Sequence, residues 1–93
     1  MPNARLNAHA VAEHLRTLTH LAMPVRDWEV EVGPDATDDL AVWVWLTVDD
    51  EDFDDTARRR QVQEQVFEEV RDTYADADPW VYVRFRTTSE MTA

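Results

Sequence analysis

The stretch that decides the fold is Leu40–Val48, which reads Leu-Ala-Val-Trp-Val-Trp-Leu-Thr-Val. It contains no charged residue, and both of its alternating sets of side chains are apolar or nearly so. A strand with one face in water alternates apolar and polar residues, whereas a strand buried on both faces reads as a continuous apolar run. The stretch therefore predicts a central strand that needs a cover on each side of its sheet.

Two other segments alternate apolar and polar residues and predict further strands. Residues 26–32 form the first, and turn residues 33–39, which hold the only glycine of the chain, join it to the central stretch. This arrangement predicts an antiparallel hairpin. Residues 80–86 form the other strand, directly after Pro79. One face of the sheet is expected to pack against the helices and form the core. Its side chains are Trp28, Val30 and Val32, the even-numbered residues of 40–48, and Val81, Val83 and Phe85.

Two amphipathic segments predict helices. The first spans about 8–22, with Asn7 as its N-cap and Pro24 limiting its end, because the residue before proline avoids the α region. The second spans about 56–74, with Asp55 or Thr56 as the cap and Phe53 packing from the preceding acidic loop. The apolar stripes are Val11, Leu15, Leu18 and Ala22 in the first helix, and Val62, Val66, Phe67, Val70 and Tyr74 in the second.

The order α-β-β-α-β predicts a two-layer α+β domain with a three-stranded sheet and both helices on one face. A right-handed crossover through the second helix places the third strand parallel to the central one, so strand order 1-2-3 is preferred over 2-1-3. We expect residues 1–93 to form one small domain. Its ordered core covers about 6–87, with flexible ends at 1–5 and 88–93.

The helices leave one sheet face bare, and this face collects large aromatic side chains. Four aromatic rings of this size would present about 600–1,000 Å² if largely exposed. An ordinary monomer exposes apolar patches of about 300–600 Å² at most. We therefore expect an interface on this face, formed by Trp43, Trp45, Trp80 and Tyr82 and bordered by Glu29, Glu31, Arg84 and Arg86.

Three interpretations of this face remain open. The tail, the acidic loop or the sheet twist could hide the rings within one subunit. A partner could cover them, either a second copy pairing its glutamates with Arg84 and Arg86 or another protein, since Trp, Tyr and Arg are enriched at interfaces. Alternatively, single-stranded nucleic acid could stack on the rings. We favour the partner interface.

Charge and composition narrow the classes of function. The chain carries 20 Asp plus Glu against 9 Arg and no Lys, a net charge of −11. This charge opposes nucleic-acid binding and suits a basic partner, nucleic-acid mimicry, salt adaptation or solubility. The absence of cysteine excludes disulfides and thiol chemistry. No signal-peptide pattern and no membrane-length apolar run is visible, so we expect a cytoplasmic protein with no membrane contact.

Few residues suggest chemistry. Without Lys there is no Schiff-base or P-loop lysine, and one glycine cannot form a phosphate loop. The only serine, Ser89, falls in the expected loose tail, and the three histidines all fall on the first predicted helix, too spread to share a metal. The acidic loop offers weak candidates for a divalent-metal or hydrolytic site, although it lacks EF-hand spacing: Asp49, Glu51, Asp52, Asp54 and Asp55.

The pattern as a whole favours binding over catalysis, and it contains no cofactor motif. We expect a small acidic protein-interaction module that homodimerises or docks another protein. An accessory, inhibitory or antitoxin-like role would suit its size and charge.

Overall fold

A computed structural model of the chain describes residues 6–92. Its helices and strands, in chain order, are α1 (Ala8–Arg16), β1 (Asp27–Pro34), β2 (Leu40–Val48), α2 (Asp50–Phe53), α3 (Thr56–Thr73), β3 (Trp80–Thr87) and α4 (Thr88–Thr92). The predicted α+β class and α-β-β-α-β arrangement are confirmed, with α2 and α4 as two short additions. The flexibility predicted for residues 1–5 falls outside the described residues.

β2 is the central strand of the sheet, as its uninterrupted apolar sequence predicts. The strand order is β1-β2-β3, with β1 antiparallel and β3 parallel to β2. Val44 lies opposite Val30 on one side and opposite Val83 on the other. Because a parallel neighbour requires a crossover connection, the chain between β2 and β3 passes over the sheet, and α3 forms this connection.

Both long helices pack on one face of the sheet and form a single hydrophobic core with it. Each fully buried Val or Leu contributes about 1.5–3 kcal/mol relative to an exposed one. The core predicted from the sequence includes Leu40, but this residue begins β2 and remains 39% exposed. The fully buried aliphatic side chains are Val11 and Leu15 from α1, Val62, Val66 and Val70 from α3, and Val42, Val44, Leu46 and Val48 from β2.

Helix α1 begins as predicted but ends six residues earlier than predicted. The Asn7 side chain accepts a hydrogen bond from the Ala10 N–H at 2.8 Å, as an N-cap does. At the other end the Thr17 hydroxyl donates to the His14 carbonyl at 2.6 Å, and a side chain bonded to the backbone in this way competes with helix continuation. Residues 18–22 then run as irregular chain.

Side chains of α3 form hydrogen bonds with this irregular segment, which lacks the backbone hydrogen bonds of a helix. Gln65 accepts from the Ala22 N–H at 2.9 Å and donates to the His20 carbonyl at 3.0 Å. Arg58 donates to the Ala22 carbonyl at 3.0 Å. The Ala22 N–H, which a longer α1 would have paired internally, and the His20 and Ala22 carbonyls are thus satisfied from 36 to 45 residues away.

The start of α3 agrees with the predicted cap. Asp55 is the N-cap, and its carboxylate accepts from the Arg58 N–H at 3.1 Å. Phe53 ends the short helix α2 instead of lying in a loop, but it packs against the core as expected. Arg59 covers it, with the guanidinium carbon 4.6 Å from the ring centroid and a 2.7 Å hydrogen bond to the Phe53 carbonyl.

Helix α4 follows β3 directly, where the sequence pattern predicts no element. The Ser89 backbone N–H donates to Asp50 at 3.4 Å, and its hydroxyl also donates to that carboxylate. These contacts attach α4 to the start of α2. The predicted flexibility of residues 88–93 stays a prediction. Within residues 6–92, no helix combines the length and the apolar character needed to cross a bilayer.

Candidate interaction face

The outer face is the side of the sheet away from α1 and α3. The register places Glu31, Trp43 and Tyr82 side by side across the three strands, and Glu29, Trp45 and Arg84 at the next level. Strand alternation puts Trp80 and Arg86 on this same side. The structure therefore brings together all eight residues expected at the interface, and their role in binding stays a prediction. The outer face comprises Asp27, Glu29, Glu31, Ala41, Trp43, Trp45, Thr47, Trp80, Tyr82, Arg84 and Arg86.

Trp43 and Tyr82 stack on each other near the middle of the outer face. Their ring centroids are 5.8 Å apart, and the ring planes differ by 16°. Such aromatic pairs contribute about 0.5–1.5 kcal/mol beyond their buried area. The Arg84 guanidinium carbon lies 5.9 Å from the Tyr82 centroid and extends this stack along β3. The pair is therefore ordered before any partner arrives.

Trp45 lies beneath an ion pair that bridges the two outer strands. Arg86 on β3 donates to Glu29 on β1 at 2.7 Å, and its guanidinium carbon lies 5.2 Å from the Trp45 centroid. In a homodimer we expected the arginines to meet the glutamates of the second copy. For Arg86 and Glu29 the ion pair instead forms within one chain.

The rings are less exposed than the estimate of 600–1,000 Å² requires. Trp80 is 60% exposed, but Trp43, Trp45 and Tyr82 are all partly buried, and Ala41 is fully buried on the same face. With about 150–250 Å² per ring, the four expose roughly half of that estimate or less. This area lies within the range of an ordinary monomer. Exposed area alone therefore does not require a partner, and partial cover within one subunit is present.

A shallow cleft of about 460 Å³ borders the outer face beside the β1–β2 turn, and Trp80 and Tyr82 form one of its walls. The other wall contains Asp35, which accepts hydrogen bonds from the Thr37 hydroxyl and N–H, both at 2.8 Å, and from the Asp39 N–H at 3.1 Å. The Thr37 hydroxyl is the main reason that the pKa of Asp35 is lowered. This bonded turn gives the cleft a rigid edge.

The left-handed backbone position of this turn is filled by an aspartate. Asp38 has φ 66°, in the region that favours glycine or a short polar residue, and its N–H donates to the Asp35 carbonyl at 3.0 Å. Gly33, the only glycine, lies within β1 and has no positive φ. The glycine therefore lies next to the turn in the sequence but does not supply its left-handed residue.

Three of the five weak metal candidates in the acidic loop are engaged in ion pairs or in a helix cap. Asp49 binds Arg26 through both oxygens, at 3.1 and 2.7 Å, and this hydrogen bonding lowers the pKa of Asp49. Asp52 lies 3.4 Å from Arg58, and Asp55 caps α3. Within residues 6–92, no group of three or more His, Asp or Glu side chains is placed to hold a metal ion. The remaining weak metal candidates, Glu51 and Asp54, are both exposed.

The histidines are distributed differently from the prediction. His20 lies beyond the end of α1 instead of within the first helix. His14 joins α1 to α3, with its Nε2 2.7 Å from Glu69 and 3.4 Å from the Thr73 hydroxyl. No local signal reveals this bridge, because its partners are 55 and 59 residues away.

Known proteins add no information on this face. Comparison of the chain with protein-family models, with curated protein sequences and with solved structures finds no match.

Proposed function

We propose that this protein is a small binding module that docks protein surfaces through its outer face. The observation that carries the proposal is the distribution of charge. The strands contribute three carboxylates to this face, Asp27, Glu29 and Glu31, and two guanidiniums, Arg84 and Arg86, which sum to −1. The whole chain carries −11, so the remaining −10 lies elsewhere. The face is nearly neutral on an otherwise strongly acidic protein.

The chemistry of this face suits protein recognition. Interface residues that concentrate binding energy are most often Trp, Tyr and Arg, and charged residues are depleted at interface centres. Trp43 and Trp45 occupy the centre of the face, on β2, and the charged residues lie on the two flanking strands. The Trp43–Tyr82 stack and the Arg86 contact with Trp45 order these rings in advance, which lowers the entropy lost on binding.

The size of the face indicates a transient complex. Three strands of about eight residues measure roughly 14 by 26 Å in projection. A standard interface buries about 800 Å² on each partner, and smaller interfaces belong to weak or short-lived complexes. The module would therefore bind and release its partner readily unless that partner also contacts the neighbouring turn.

Site-specific photo-crosslinking tests the proposal. Trp80 is replaced by the photoreactive residue p-benzoylphenylalanine in the full chain, in its native cells. Gln61, which is exposed on α3, receives the same residue as the matched control. We expect a discrete protein adduct from position 80, identified by mass spectrometry, and none from position 61. Absence of an adduct, or the same adduct from both positions, would overturn the proposal.

A further inference from the structure

The outer face separates its charges by strand. The β1 strand contributes the carboxylates of Asp27, Glu29 and Glu31, and β3 contributes the guanidiniums of Arg84 and Arg86. The β2 strand lies between them and contributes no charge. The face therefore has an acidic border, an aromatic centre and a basic border, in the order of the strands. A surface built in this way is complementary to its own copy in one orientation.

Two symmetric arrangements stack this face on a second copy with the strands of the two sheets aligned. A two-fold axis perpendicular to the strands places β1 over β1 of the copy, so carboxylates oppose carboxylates and arginines oppose arginines. An axis parallel to the strands places β1 over β3 of the copy, so each acidic border meets a basic one. This second arrangement stacks β2 on β2 in parallel, compatible with the usual angle of about 30° between packed sheets.

We infer that the partner of the outer face is a second copy of this chain, stacked about a two-fold axis that runs along β2. The inference rests on the proposed function and names its partner. Each copy contributes charged side chains that form no ion pair with the described residues of their own chain. Within residues 6–92, no arginine forms an ion pair with Glu31 and no carboxylate forms one with Arg84. In the stacked dimer Glu31 of one copy is offset along the strands by one side-chain repeat, about 6.6–6.8 Å, from Arg84 in the other, across the gap of about 10 Å between stacked sheets.

The Trp45 and Trp43 rings lie along the dimer axis in this arrangement. Trp43 faces its own equivalent, and the Arg86–Glu29 pair that covers Trp45 lies between the two Trp45 rings. Trp80 lies at one end of the face, beside the β1–β2 turn, and becomes covered by β1 of the copy. The interface is small, so the dimer dissociates in the micromolar range or above.

Charge reversal tests both the partner and the orientation. Sedimentation equilibrium over a range of micromolar to millimolar concentrations gives the dimer dissociation constant of the wild type and of each variant. Glu31→Arg places arginine against Arg84 at two symmetry-related contacts, and Arg84→Glu places glutamate against Glu31. Each reversal alone should raise the dissociation constant about tenfold. The double variant, and an equimolar mixture of the two single variants, should restore dimerisation.

The controls separate local pairing from net charge. Asp72→Arg and Arg60→Glu make the same changes in net charge on exposed positions of α3, away from the face. Glu31→Arg lowers the repulsion between two acidic chains, as Asp72→Arg does, yet only Glu31→Arg should weaken the dimer. Circular dichroism confirms that each variant folds, and the restored double variant excludes misfolding as the cause.

Two other outcomes would overturn different parts of the inference, namely the direction of the axis and the identity of the partner. A wild-type dimer that neither single reversal weakens would overturn the axis along β2, because the perpendicular axis predicts no loss from either. A wild-type chain that stays monomeric at all concentrations would overturn the second copy as partner. The proposed function is tested separately, since a crosslink from position 80 to a different protein would still support it.

Discussion

Arg86 reaches across the central strand to Glu29, with its Nη1 2.7 Å from the Glu29 carboxylate, and lies on the ring of Trp45 between them. One side chain thus makes both an ion pair and a cation–π contact. Glu29 is 57% exposed, so water screens the ion pair and it contributes little. The contact with Trp45 is better shielded, because the Arg86 side chain is only 31% exposed.

Arg86→Ala should therefore destabilise the protein by about 0.5–1.5 kcal/mol, mainly through the lost contact with Trp45. Glu29→Gln, which leaves Arg86 and its ring contact in place, should cost less than about 0.5 kcal/mol. Urea unfolding followed by circular dichroism gives both values. A red shift of tryptophan emission should accompany Arg86→Ala alone. Equal losses from the two variants would instead assign the energy to the ion pair.

Leu46 and Leu40 are the same residue type on the same strand and the same side of the sheet, and they differ in burial. Leu46 is fully buried, and Leu40 is 39% exposed at the strand end. Leu46→Ala should cost about 2–5 kcal/mol, since it removes buried methyl groups and leaves a cavity. Leu40→Ala should cost less than about 1 kcal/mol. Similar losses at both positions in urea unfolding would contradict the placement of the core.

The Arg26–Asp49 pair predicts a dependence of stability on pH. The hydrogen bond from Arg26 is the main cause that lowers the pKa of Asp49 below its ordinary value of 3.8, and desolvation opposes it. A carboxylate with a lowered pKa in the folded state stabilises the fold above its unfolded pKa, and this stabilisation disappears as pH falls through the folded value. The contribution of Asp49 should thus be complete at neutral pH and should decline as the pH falls below about 3.8.

The measurement compares the wild type with Asp49→Asn. The difference in melting temperature between the two should be constant from pH 7 to 5 and should shrink as the pH falls below 3.8. The comparison removes the general effect of titrating so acidic a chain. Asp54→Asn, at an exposed position of the same acidic segment, is the control, because it makes the same change in charge without removing the contact with Arg26. Convergence at a pH above 5 would contradict the lowered pKa.

The sequence predicts those parts of the structure that depend on neighbouring residues. Strand alternation has a period of two, so the positions of Trp43 and Trp45 follow once Val44 is assigned to the core. Helix caps are also local, and both Asn7 and Asp55 act as predicted. The strand order follows from the fully apolar sequence of β2, since only a central position covers both of its edges with neighbours.

Contacts between distant residues explain what the sequence did not predict. The apolar stripe continues past Arg16, but α1 ends there because Gln65 and Arg58 bind the following backbone from α3. The exposure of Trp45 was overestimated for the same reason. Both Arg86 and Glu29 were placed on the correct face, yet their 57-residue separation gives no sign that they meet within one chain.

Nucleic acid remains the alternative ligand for an aromatic sheet face, and the ion pair over Trp45 argues against it. Since Glu29 engages Arg86, only Arg84 on β3 lacks a carboxylate partner among the described residues. Nucleic-acid affinity depends on releasing counterions from phosphates, which requires several free cations and a favourable net charge. The chain offers one such cation on this face and carries −11 overall.

Titration with a single-stranded ten-nucleotide probe should therefore leave the tryptophan fluorescence unchanged, at both 20 and 200 mM salt. Glu29→Gln should also show no binding, although it frees Arg86, because two arginines cannot offset the repulsion from the rest of the chain. Quenching by wild type that saturates at 20 mM salt, weakens steeply at 200 mM and disappears in Arg84→Ala would contradict this expectation. It would show that base stacking on Trp43 and Tyr82 outweighs the net charge, and the outer face would then be a nucleic-acid site.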